Sequence, residues 1–233
     1  MVTPLVYGHR GASAVAPENT LEAFRLARVL GADGVELDVR RSADGHLVLH
    51  HDALLADGRE IGATVRADLP VSVPTLAEAL DVCVGLVVNI EIKNIAYEPD
   101  FDPDCTAADQ VVSLLAERGG RDLVFVSSFH LRTIDRVKAL APAVPTGLLT
   151  FLDPAPADGA MVAAERGHDS IHPHHATIDA ALVDAAHEVG LAVNAWTVDD
   201  AERIAALEVL GVDGIITNVV DTARRVQGPA RPR

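Results

Sequence analysis

Short apolar runs alternate with longer amphipathic stretches from one end of the chain to the other. Leu5 to His9 reads as a strand, followed by a helix capped near Asn19–Thr20 and carrying Leu21, Phe24, Leu26 and Val29. Val35 to Val39 is the next strand. Leu47 to His51 is a short extended piece after the Asp44-Gly45 turn, and Pro74-Thr75 opens a helix through Leu80. Further strands are expected at Leu86 to Ile92, Val124 to Ser127, Thr146 to Leu149, Ser170 to His172, Ala192 to Trp196 and Gly214 to Thr217. Between them fall helices at Ala107 to Arg118, Leu131 to Leu140, Ala157 to Arg166, Ile178 to Val189, Asp200 to Leu207 and Val219 to Val226. About eight strand–helix units result, the number that closes a parallel (β/α)8 TIM barrel. No low-complexity linker divides the chain. Residues 1–227 therefore read as one catalytic domain and 228–233 as a flexible tail. An open doubly wound sheet would need a phosphate-binding glycine loop after the first strand, and Gly8-His9-Arg10-Gly11 does not fit one.

Composition narrows the function classes. Hydrophobic residues make up 49% and charged residues 23% of the 233, enough for a full core. Aromatics are only 3%, so that core is built from Ala, Val, Leu and Ile. A formal net charge of -15 argues against a nucleic-acid or anionic-membrane surface. No stretch approaches the roughly 20 apolar residues of a membrane span, and MVTPLVYGHRG does not resemble a signal peptide. A cytoplasmic protein with no stable membrane insertion is expected; oligomeric state is left open. Cys83 and Cys105 read as reduced structural thiols.

The candidate chemistry sits at predicted strand ends, the face that carries the active site in a barrel. Glu36 and Asp38 stand two apart and leave the same face of one strand; Glu91 and Lys93 repeat that spacing on another. Three carboxylates in a barrel mouth repel unless compensated, and an oxygen-only set favours Mg²⁺ or Ca²⁺ over Zn²⁺. The alternative is a structural network with Arg40, Arg41 and Lys93. His9 stands out beside Arg10 at a strand end. Of adjacent His50 and His51, only one can face the site from extended chain. Most of His46, His130, His168 and His187 read as solvated loop or helix residues. The run from His172 to His175 is too tightly spaced for a clean zinc site. Trp196 either packs in the core or lines a pocket at a strand end.

The blocks HRGASAVAPENTLEAF, GADGVELDVRRSADGHLVLHHD, NIEIK, NAWTVD and GVDGIITN, in that order, resemble those of glycerophosphodiester phosphodiesterases. The resemblance runs from near residue 8 to near residue 218. It implies the TIM barrel already reached by counting strands. It further implies catalytic roles for His9 and His51, with one divalent cation (Mg²⁺ or Ca²⁺, Mn²⁺ a further candidate) held by Glu36, Asp38 and Glu91. Arg10 and Lys93 would contact phosphate, and Trp196 would line the alcohol pocket. The small-molecule substrate would be a glycerophosphodiester, cleaved to glycerol phosphate and an alcohol, with the substrate's own glycerol hydroxyl attacking first. Which histidine is acid and which base stays open at this point. After His50-His51-Asp52 the chain departs from the family pattern, so the insertion after the second strand is expected to be short or absent. Phospholipase D-like action on lysolipids or sphingolipids, and a non-catalytic barrel that only binds a phosphate ligand, are the competing readings. The complete set of site residues argues against the second.

Overall fold

In the computed structural model, which describes residues 3–151 and 155–228, each apolar run named above forms a strand or the greater part of one. The strands are β1 (Leu5–His9), β2 (Gly34–Arg41), β3 (Leu47–Leu49), β4 (Val87–Ile92), β5 (Leu123–Ser128), β6 (Thr146–Thr150), β7 (Ser170–Pro173), β8 (Ala192–Ala195) and β9 (Gly214–Thr217). The helices are α1 (Leu21–Val29), α2 (Leu76–Val82), α3 (Thr106–Glu117), α4 (Leu131–Leu140), α5 (Pro156–Glu165), α6 (Ala180–Glu188), α7 (Ala201–Leu210) and α8 (Val220–Gln227). Caps set several boundaries. Thr20, Asp179 and Asp200 accept the first free amides of α1, α6 and α7, and Thr75 with Glu78 makes a capping box on α2.

β1 pairs in parallel with both β2 and β9, and β2 continues through β4, β5, β6, β7 and β8 back to β9. The eight parallel strands therefore close into a TIM barrel, as the strand count predicts. β3 lies outside the ring, antiparallel to β2. The insertion that follows is short. It packs on its own small core of Val48, Leu55, Ile61, Leu69 and Val73.

Alternate strand residues such as Val35, Leu37, Val88, Ile90, Val126 and Ile171 pack outward against the helices. Their neighbours meet inside the ring, and that interior is polar as well as aromatic. Ser127 bonds Asn89, His172 bonds Ser170 and Asn194, and Phe125 packs edge-on between Tyr7 and His172. Room for these rings comes from missing side chains: a Cβ on Gly34 would come within 2.7 Å of the Tyr7 ring. Both cysteines are buried free thiols, and burial pushes Cys83 up to about 12. No helix among the described residues is long and apolar enough to cross a membrane. Of the expected tail only Gly228 is described, where α8 ends; residues 229–233 lie outside the described residues.

Candidate active site

The site begins where β1 turns away. Arg10 (φ 56°) and Gly11 (φ 84°) are both left-handed, and a Cβ on Gly11 would sit 2.7 Å from that of Ala23. A non-glycine residue in this region costs about 1–3 kcal/mol and persists only where its surroundings hold it. Here they do. Arg10 donates its backbone N–H to Glu36 Oε2 at 2.9 Å, and its guanidinium lies 3.1 Å from Asp38 and 2.9 Å from Glu18. Asn19, also left-handed, donates Nδ2–H to Asp38 at 2.7 Å and accepts the Asp38 amide at 3.1 Å.

Strand register assembles the carboxylates. His9 is opposite Glu36, and Asp38 is opposite Glu91. Ligand atoms of Glu36, Asp38 and Glu91 lie within 4.8 Å of one another, and all three residues are buried. Lys93 sits between Asp38, 2.9 Å away, and Glu91, to which it donates a hydrogen bond. Arg40 and Arg41 do not join it: Arg40 turns instead to Glu98 and Asp100. Two cations thus face three carboxylates. Burial works against ionisation of Asp38, but Lys93 and Arg10 outweigh it and hold that carboxyl well below the usual range. Burial, with Asp38 and Glu91 alongside, pushes Glu36 well above it. Glu36 Oε1 has no hydrogen-bond partner. An orphaned oxygen within an all-oxygen set of surplus negative charge suits a hard divalent cation, so the residues fit the ion that the sequence implies.

The two histidines are supported differently. His9 Nε2 is 4.0 Å from Glu36, and its Nδ1 bonds Asn218 Oδ1 at 2.8 Å. Asn218 Nδ2 donates to Asp199 at 2.6 Å, which turns Oδ1 toward His9; Nδ1 of His9 therefore carries its hydrogen and Nε2 is bare. Burial, then the charge of Arg10, pulls His9 down to about 4. His51 Nδ1 donates to Asp52 at 2.6 Å, and that bond holds the Asp52 carboxyl below its ordinary range. β3 ends at Leu49: the His50 amide still makes the ladder bond to the Asp38 carbonyl, but the Asp38 amide goes to Asn19 rather than back to His50, and the chain then turns. The turn, not strand alternation, separates the two rings. His50 bonds the Asp52 carbonyl, while His51 contributes to the electrostatics of Asp38 and Glu91.

Trp196 follows β8, three strands round the ring from β2 by way of β1 and β9. Its indole N–H donates to the His172 carbonyl at 2.7 Å, and Phe129, Phe151 and His174 surround its ring. His174 and His175 are in ring contact, 4.6 Å between centroids, while His172 is sealed inside the barrel against Ser170 and Asn194. Among the described residues the carboxylate trio is the one metal-competent group found. Of the four histidines expected to be mostly solvated, His168 is buried, between Thr146 (2.9 Å) and Asp135 (3.2 Å). Asn218, Asp199 and Asp52 were given no role from spacing, Asn19 was read only as a helix cap, and Arg40 only as a partner for the trio; all five lie within the blocks quoted above.

Comparison with known proteins points to one family. The model of the glycerophosphoryl diester phosphodiesterase family matches residues 9–222. A glycerophosphodiester phosphodiesterase of Caldanaerobacter subterraneus subsp. tengcongensis is 32% identical over 94% of this chain and 95% of its own length. An Oleispira antarctica phosphodiesterase, solved with the product sn-glycerol-3-phosphate, superposes with a TM-score of 0.87 at 27% identity, over 97% of each chain. A glycerophosphodiester phosphodiesterase from Thermotoga maritima gives 0.80 at 28%, over 95% of this chain and 97% of its own.

Proposed function

The chain belongs to the glycerophosphoryl diester phosphodiesterase family, and from that premise we propose that it hydrolyses glycerophosphodiesters to glycerol phosphate and an alcohol with two-histidine acid–base chemistry. One observation carries the reading: three buried carboxylates converge beside two cations, with a histidine on either flank, at the end of the barrel where β1, β2 and β4 stop. Residues 1–227 act as one catalytic unit. A divalent cation held by Glu36, Asp38 and Glu91 would neutralise developing phosphate charge and activate the attacking oxygen. Arg10 and Lys93 supply fixed positive charge at the edge of the trio, where a phosphodiester oxygen would lie. Trp196 and its aromatic neighbours wall one side of the mouth and contact one of the substrate's two organic groups.

Roles for the histidines follow from their supports. His9 is neutral near pH 7 with a bare Nε2 facing the cluster, the state a general base requires. His51 donates Nδ1–H to the Asp52 carboxylate, which fixes the ring with Nε2 turned away from that bond, the position from which a proton can be delivered to the leaving oxygen. No protein nucleophile competes. Ser13, the hydroxyl nearest His9 in sequence, donates to Asn218 Oδ1 at 2.7 Å instead. The glycerol hydroxyl vicinal to the phosphate attacks first, giving a cyclic glycerol phosphate that water opens with the histidines exchanging roles. The test compares glycerophosphocholine with its 2-deoxy analogue at saturation. The analogue should bind yet turn over far more slowly. Equal kcat values, with chemistry limiting, would favour direct attack by water.

A further inference from the structure

Two buried atoms of complementary kind stand on neighbouring strands without a partner among the described residues. Asn89 on β4 is the register partner of Glu36 on β2, as Glu91 is of Asp38. Side chains two apart on a strand share a face, so Asn89 points into the ring with Glu91, as Glu36 does with Asp38. Asn89 is 1% exposed and Glu36 2%. Of the Glu36 oxygens, Oε2 accepts the Arg10 amide at 2.9 Å and Oε1 accepts nothing. In the Asn89 amide, Oδ1 accepts the Ser127 hydroxyl at 2.8 Å and Nδ2 donates to nothing. Adjacent strands lie about 4.8 Å apart in a sheet, a gap that an Asn and a Glu at one register level can span.

Ser127 decides which end of the amide faces Glu36. It stands on β5, on the far side of β4 from β2. With Oδ1 turned to β5, Nδ2 is left on the side of β2. The opposite orientation would set Oδ1 against a carboxylate oxygen, two acceptors with no hydrogen between them. His172 Nδ1 is also unpartnered inside the ring, but β7 lies across from β2 with three strands between them on either side. Asn89 is thus the free donor that adjoins Glu36. Resting on the metal-dependent reading above, we propose that Asn89 is a positioning residue for the cation: its Nδ2–H donates to Glu36 Oε1 and holds that oxygen's remaining lone pair on the ion. A carboxylate oxygen has two lone pairs, so Oε1 can serve both. Arg10 and Lys93 already offset part of the trio's charge, and a third positive group would compete with the ion. A neutral amide orients the carboxylate and adds no charge.

The test titrates metal-free protein with Mn²⁺ by calorimetry and follows thermal unfolding in chelator. Asn89→Leu, close in volume, removes the donor. It should raise the Mn²⁺ Kd about 10–100-fold, the range for hydrogen-bond partners of metal ligands. Turnover of glycerophosphocholine by this variant should recover as Mn²⁺ is raised past the new Kd, because the reacting groups are untouched. A role in packing alone would instead lower the melting temperature in chelator and leave the Kd at its wild-type value. That unchanged Kd, in folded Asn89→Leu, would overturn the proposal; if the leucine does not fold, Asn89→Ala is held to the same criterion. Wild-type protein that binds no Mn²⁺ would overturn the metal-dependent reading, and the role of Asn89 with it.

Discussion

Replacing Arg40 should disable catalysis without touching the phosphate or the carboxylate trio. Its side chain is 1% exposed and fully engaged. Nε and Nη2 donate to the backbone carbonyl of His51 at 2.9 and 2.5 Å, Nη1 spans both oxygens of Asp100 at 2.9 and 2.7 Å, and Nη2 also reaches Glu98 at 2.8 Å. One guanidinium thus ties the turn that carries His51 to the loop between β4 and α3. Lysine keeps the charge but cannot fork to three partners. Losing about two charge-assisted bonds at ~1.5–3 kcal/mol each, part of it recovered by the ammonium, gives a destabilisation of about 2–4 kcal/mol. A domain with 5–15 kcal/mol to lose stays folded. The His51 turn, however, loses its anchor, and a displacement on the order of 1 Å at a proton-transfer group costs about 10²-fold. Arg40→Lys should therefore lower kcat about 10²-fold and leave KM within about threefold, because Arg10 and Lys93 are untouched. Steady-state kinetics on glycerophosphocholine, paired with thermal melting, measures both. A cooperatively folded Arg40→Lys enzyme with wild-type kcat would refute the reasoning; a fall in KM affinity equal to the fall in kcat would point to general disruption instead.

The remaining predictions concern the cation and pH. Chelation should abolish turnover and Mg²⁺, Ca²⁺ or Mn²⁺ should restore it; an ion at about 100 times its Kd should also raise unfolding free energy by about 2.7 kcal/mol. A Glu36→Ala/Asp38→Ala double variant that kept either response would sink the assignment of those ligands. His172, sealed inside the barrel, is pulled by burial from 6.5 down to about 3. Its folded pKa lies below the unfolded one, so the stability it contributes is present above pH 6.5 and is lost as pH falls through the window from 6.5 to 3, about 2 kcal/mol by pH 5. Urea unfolding at pH 7.5 and pH 5 should show that loss, and His172→Gln should shrink it; an identical pH dependence in the variant would exclude His172 as its source.

The barrel was legible because its signal is repetitive. Each strand is a short apolar run, and misplacing one boundary by a residue or two does not change the number of units that close the ring. The charged part of the site was legible for a related reason: Glu36 with Asp38, and Glu91 with Lys93, carry their geometry in a spacing of two on adjacent strands. Neutral partners carry no such mark. Asn218 is 209 residues from the histidine it orients, and only barrel closure through β1 and β9 brings them together. Arg40 was weighed with Arg41 and Lys93 as a partner for the trio, but at the end of β2 it meets the loop carboxylates Glu98 and Asp100 instead. The extended reading of Leu47 to His51 overran the strand where the Asp38 amide bonds Asn19 instead of returning the ladder bond to His50, which ends β3 at Leu49. His168 carries no mark in the sequence that sets it apart from the solvated histidines; its burial depends on α4 delivering Asp135 to it.

The supports of the two histidines also explain why the site is built from two kinds of structure. His9 is held from within the ring: its own strand, Asn218 after β9 and Asp199 after β8 all belong to adjacent barrel units. An amide oxygen orients it without adding charge, so burial sets its protonation and the ring stays neutral. His51 is held from outside the ring, by Asp52 on its own turn and by Arg40 beneath it. Asp52 accepts Nδ1–H of His51 and fixes the ring's orientation, as Asn218 does for His9. A barrel strand supplies rigidity and burial together, and burial suits a base that begins uncharged. His51 stands outside that burial, 36% exposed on the turn after β3. A buried arginine bonded to its carbonyl restores the rigidity that leaving the ring would otherwise forfeit.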